Sequence, residues 1–149
     1  MSLKLLDSLY VEAMVMADEA RAYFDQQGDR DREEMDIMLR VSFSCESLKV
    51  TSRLMHVIAW LLTQRAVHNG ELRWSDLANP RHHLGEAAAS DTEVVGRFPF
   101  AARALISASE DLYERVARLQ SAMGMTGSDR PARPESPARM LLGRLESSF

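Results

Sequence analysis

RVSFSCESLKVTSRLMHVIAWLLTQRAVHNG, residues 40–70, reads as most of one helix that is apolar around much of its circumference. Val41, Cys45, Leu48, Met55, Ala59, Leu62 and Ala66 form one stripe, and Phe43, Val50, Leu54, Val57 and Leu61 form a second two residues out of phase. Two residues turn a helix by about 200°, so the stripes lie on nearly opposite sides. Ser44, Ser47, Thr51 and Ile58 lie between them on one flank and can be buried; Glu46, Lys49, Arg53 and His56 run down the other. Only that charged strip is plainly built for water. A helix of this kind sits in the middle of a structure and packs on more than one side.

The chain on either side supplies packing partners. Helix one is predicted over 3–26, starting after Ser2 as N-cap and burying Leu3, Leu6, Tyr10, Ala13, Ala17, Ala20 and Phe24. Gly28 is its expected left-handed terminator. Helix two is predicted over 31–69, with Asp31 and Glu34 spaced as a capping box. Helix three is predicted over 99–123, opened by Pro99 and closed by Gly124, with Ala101, Leu105, Ala108, Leu112, Val116, Leu119 and Met123 on one face. Residues 70–98 are irregular, punctuated by Gly70, Asn79-Pro80 and Gly85, with room for a short turn around Trp74–Leu77 and another near Thr92.

The expected fold is all-α, a three-helix bundle with a long central helix in a domain spanning 1–125. The middle helix, at about 55 Å, overhangs partners of about 37 Å. Either the 70–98 connection folds back over it or a second copy does, and the expected homodimer face is Phe43, Val50, Leu54, Val57 and Leu61. Residues 126–149 read as a flexible tail rich in Pro and Arg: TGSDRPARPESPA cannot be helical and lacks apolar area to offset the cost of ordering. It ends in Met140, Leu141, Leu142, Leu145 and Phe149, a candidate docking segment.

Composition narrows the function classes. Hydrophobic residues make up 46% and charged residues 27%, with a net charge of −4, so attraction of the whole protein to nucleic acid or an anionic membrane is not expected. A single cysteine cannot make an internal disulfide. Charges at Lys4, Asp7 and Glu12 interrupt the amino-terminal segment, which therefore does not read as a signal peptide, and no run of 18 apolar residues occurs. A cytoplasmic location is expected.

No constellation of residues points to a reaction. Cys45 is expected to be a packed core thiol, about three turns inside a helix and far from the N-terminus that would activate it. Ser44 and Ser47 are not in a nucleophile elbow, and no pair with zinc-site or di-iron spacing exists among His56, His68, His82 and His83. Catalytic, metal and cofactor residues are therefore expected to be absent. Lys49, Arg53 and His56 with Trp60 form a candidate protein-binding surface. An indole on a charged strip is either covered by the 70–98 connection or is a contact residue.

The run FSCESLKVTSRLMHVIAWLLTQRAV, with YVEAMVMADEARAYFDQQGDRDR before it and LISASEDLYERVARL after it, resembles the regulator of CtrA degradation family of alphaproteobacteria over residues 8 to 123. That resemblance implies a small helical dimer without enzymatic activity, an adaptor for the ClpXP protease in cell-cycle proteolysis. Its implied partners are the ClpX unfoldase or its priming adaptor, and protease substrates. The alternative from the residues is a helical regulator that binds nucleic acid through Lys49, Arg53 and the tail arginines.

Overall fold

The computed structural model describes residues 2–124, and every helix and contact below lies within them. Helix α1 (Leu3–Asp25) is capped by Ser2, whose Oγ accepts from the Leu5 amide at 3.1 Å. It buries Leu6, Leu9, Ala13, Met16 and Ala20 against the long helix. Small residues at 13 and 20 let the two helices approach closely.

Gly28 does not terminate α1. It lies inside a short helix, α2 (Gln27–Glu33), and does not have a left-handed backbone. A Cβ there would sit 3.0 Å from the Tyr23 carbonyl oxygen and 3.3 Å from its ring, so glycine is needed for close packing. Asp31 is likewise not a cap. Its carboxylate accepts from the Tyr23 hydroxyl at 2.6 Å and from Gln27 Nε2 at 2.9 Å. Burial and that bonded carboxylate both raise the Tyr23 pKa.

The long helix α3 (Ile37–His68) begins later than the sequence suggests, after Asp36, whose Oδ1 accepts from the Leu39 amide at 2.8 Å. Its 32 residues make a rod of about 48 Å, against about 34 Å for the 23-residue α1 and α5 (Phe100–Ala122). Gly70 and Gly124, following α3 and α5, have φ of 79° and 71°, the left-handed geometry that lets a chain leave a helix. Pro99 caps α5 from outside the first turn.

Helix α5 runs parallel to α3, not antiparallel. Phe98 meets Phe43 (ring centroids 5.1 Å apart), Ser109 meets Arg53, and Gln120 meets Trp60, so both helices advance in the same direction. A parallel pair cannot be joined by a short turn, which explains the long connection. It leaves the far end of α3 through two short 3-10 turns (Trp74–Ala78 and Pro80–His82), climbs back as an irregular strap over 84–91, and makes one more turn, α4 (Thr92–Val95), capped by Asp91. Leu77 anchors the start of this route in the core and Phe98 the end. Tyr23, Phe24, Phe43 and Phe98 form an edge-to-face chain closing one end of the bundle.

Candidate interaction surfaces

The two apolar stripes of α3 have separate fates, and they are the reverse of the assignment made from sequence. Phe43, Val50, Leu54, Val57 and Leu61, expected to face a second copy, are all buried in the chain's own core against α1 and α5. The opposite stripe is bare: Val41 is 55% exposed, Leu48 68%, Met55 65% and Leu62 47%. Cys45 belongs to this stripe and is exposed, so it is not the core thiol expected. Periodicity shows that two stripes exist, but it is blind to which of them a third helix will cover.

Beside the bare stripe, a groove of about 530 Å³ lies between α1 and α3. Met14, Ala17 and Phe24 line it from α1; Leu48, Leu54, Met55 and Ile58 line it from α3. Asp18 and Arg21, paired at 3.1 Å, sit on its rim. Ser47 and Thr51 present little polarity there, since their hydroxyls bond back to the helix carbonyls of Ser44 (2.7 Å) and Ser47 (3.2 Å).

The charged strip, read as the solvent side, is covered. Glu46 is 3% exposed and Arg53 and Trp60 are each 2% exposed. The strap over 84–91 lies on them. Arg53 Nη2 donates to the Ala88 carbonyl at 3.0 Å and to Ser90 Oγ at 2.7 Å, and its Nη1 donates to Ser109 Oγ at 3.2 Å. Lys49 Nζ donates to Glu46 Oε2 at 2.9 Å and to the Ala89 carbonyl at 3.0 Å. Glu46 Oε2 also accepts from the Asp91 amide at 3.2 Å. Burial pushes the Glu46 pKa up, but hydrogen bonds from Ser90, Lys49 and the Asp91 amide more than offset it, and its pKa is lowered overall.

Lower on the seam, the Trp60 indole donates to Gln120 Oε1 at 3.1 Å, and the same oxygen accepts from the Leu84 amide at 2.7 Å. Tyr113 donates its hydroxyl proton to the Gly85 carbonyl at 2.6 Å, and burial holds its pKa above the ordinary phenol value. His56 stands against Gly85 so closely that a Cβ there would lie 2.3 Å from Nδ1.

Thus the structure brings Lys49, Arg53, His56 and Trp60 together, but under the chain's own connection. Sequence reasoning missed Ser109 and Gln120, which bond Arg53 and Trp60, and Tyr113, which bonds the strap itself at Gly85. The available signal was two polar residues, Ser109 and Gln120, at helical spacing from Ile106, Leu112 and Val116 on the buried face of α5. Among the described residues there is no group of three metal-binding side chains, and no described helix is long and apolar enough to cross a membrane. Met140, Leu141, Leu142, Leu145 and Phe149 lie outside the described residues.

These features define a class, a small all-helical bundle built on one long central helix, one apolar face of which the described residues leave uncovered. The chain belongs to the family described as "Protein of unknown function (DUF1465)", whose model matches residues 1–149. It is similar to RcdA from Caulobacter crescentus CB15, known from a crystal structure. The two are 32% identical over 83% of this chain and 92% of that one, with a TM-score of 0.65. The family resemblance read from the central run and its flanks is borne out by that likeness. The chain matches none of the curated proteins.

Proposed function

We propose that this chain is a non-enzymatic regulator of proteolysis, a cytoplasmic homodimeric adaptor that brings substrates or other adaptors to the ClpXP protease in cell-cycle control. The observation that carries the reading is the likeness to RcdA, 32% identical over 83% of this chain. The bare stripe of Val41, Leu48, Met55 and Leu62 supports it, because an exposed apolar helix face is costly unless a partner covers it. In this reading that stripe is the dimer face. The segment from Met140 to Phe149 is a tethered docking element for a partner.

An adaptor raises the local concentration of substrate at the unfoldase, so its effect is largest at low substrate concentration. The test is a reconstituted degradation assay with ClpXP, substrate and any priming adaptor, run across substrate concentrations with the full chain and with residues 126–149 deleted. Faster degradation at low substrate, weakened by the deletion, is expected. Unchanged degradation with every substrate tried refutes the reading. A nucleic-acid role is the weaker alternative, since the Arg53 guanidinium it would use is occupied by Ser109, Ala88 and Ser90.

A further inference from the structure

Residues 84–91 are held in an unusual way. From Gly85 beside His56 to Asp91 beside Glu46, the strap passes ten residues of α3, about 15 Å, in six residues of its own, an open, non-helical course of about 2.5 Å per residue. Between Leu84 and Asp91 it places no side chain in the core. It is gripped instead by its main chain. Tyr113, Arg53 and Lys49 donate to the carbonyls of Gly85, Ala88 and Ala89, while Gln120 and Glu46 accept from the amides of Leu84 and Asp91. Of its side chains, Leu84 packs on the edge of the core and Ser90 is hydrogen-bonded by Arg53. The residues so held, GEAAAS, are small or point outward, and the strap's acidic Glu86 and Asp91 lie along a seam carrying Lys49, Arg53 and His56.

An array of donors and acceptors that reads backbone from the walls of two helices is chemistry that fits any extended segment with small side chains, whichever chain supplies it. We propose that the α3–α5 seam is a binding site for an extended, small-residue, acidic-flanked peptide segment of another protein, and that the strap 84–91 fills this site at rest. The strap is suited to yield. Its gripping side chains are rooted in buried positions, but the bonds they make to it are polar and partly open to water, so water or a competing peptide can replace it, while Leu77 and Phe98 keep the connection anchored on either side. Because the site is open only in the fraction of molecules whose strap has lifted, the apparent affinity for a competitor is reduced by that fraction. The proposal rests on the reading of this chain as an interaction protein, but on no part of the protease assignment.

The probe is a fluorescent peptide with the sequence of residues 82–93, HHLGEAAASDTE. Gly85→Val places a Cβ 2.3 Å from His56 Nδ1, so the strap or the imidazole must give, while Arg53, Lys49, Tyr113 and Gln120 are unaltered; faster exchange at the Leu84 and Asp91 amides of this variant shows that the strap has lifted. This variant is expected to bind the peptide at least tenfold more tightly than the unaltered chain, and Tyr113→Phe in the same background should lose several-fold of that affinity. On the unaltered full chain, millimolar peptide should speed hydrogen exchange at the Leu84 and Asp91 amides at least tenfold. No binding to a folded Gly85→Val chain, affinity indifferent to Tyr113→Phe, or exchange at those amides unmoved by saturating peptide would each overturn the site. Such a failure leaves the degradation assay untouched, and a failure there leaves this titration untouched.

Discussion

The two sides of α3 invert the usual expectation. The flank carrying Glu46, Lys49, Arg53 and His56 looks like water-facing surface and lies under the strap, whereas the stripe of Val41, Leu48, Met55 and Leu62 looks like core and lies in the open. The cause is topological. Since α5 runs parallel to α3, some thirty residues must return along the bundle, and an irregular chain lying on a helix needs side chains to satisfy its amides and carbonyls. The charged strip supplies those partners. The apolar stripe faces away from both packed helices, so nothing in the described chain covers it.

Substitutions on α3 can break this comparison, and the largest effect belongs to the core stripe. Val57→Glu puts an unpaired carboxylate where the side chain is fully buried, which costs on the order of 4 kcal/mol or more, so the thermal midpoint of the far-ultraviolet helical signal should fall by about 15 °C or more. Next comes Arg53→Met. It removes the bonds to Ser109, Ala88 and Ser90 and should cost about 2–4 kcal/mol, read as a thermal midpoint lower by about 10 °C with the helices retained below it. A rise in the midpoint would mean that the strap is not held by this side chain.

Glu46 gives a smaller effect with a defined sign. Its folded pKa lies below the ordinary 4.5, so its stabilisation is fully present above that value and is lost as pH falls through the lowered one. Exchange protection at the Asp91 amide should therefore decline below pH 4.5. Glu46→Gln should cost about 1 kcal/mol at neutral pH and flatten that acid step, as measured by hydrogen exchange across pH.

Much of the bundle was legible because long helices advertise themselves. The steps of three and four in residues 3–26 and 99–123, and the double stripe between them, give three long helices and their rank in length. What stayed hidden depends on tertiary pairing. Asp31 has the spacing of a cap but is engaged by Tyr23 and Gln27, so the duty passes to Asp36, and residues 27–33 become a helix of their own. The parallel course of α5 is set by how its face meets α3, which no local pattern records. For the same reason the sequence pattern points to Phe43, Val50, Leu54, Val57 and Leu61 as a dimer face. These residues carry the same period as the exposed stripe, and only the positions of α1 and α5 separate the two.

The smallest effect on folding, and the most direct test of what the bare stripe is for, comes from Leu48→Glu together with Met55→Glu. Both side chains are mostly exposed, so each change should shift intrinsic stability by no more than about 0.5 kcal/mol and leave the helical signal as it was. Sedimentation equilibrium on the full chain and this double variant, at micromolar concentration, reads association alone. Twice the chain mass is expected for the unaltered protein and the single-chain mass for the variant. A monomeric unaltered protein, or a variant that still dimerises, would contradict it.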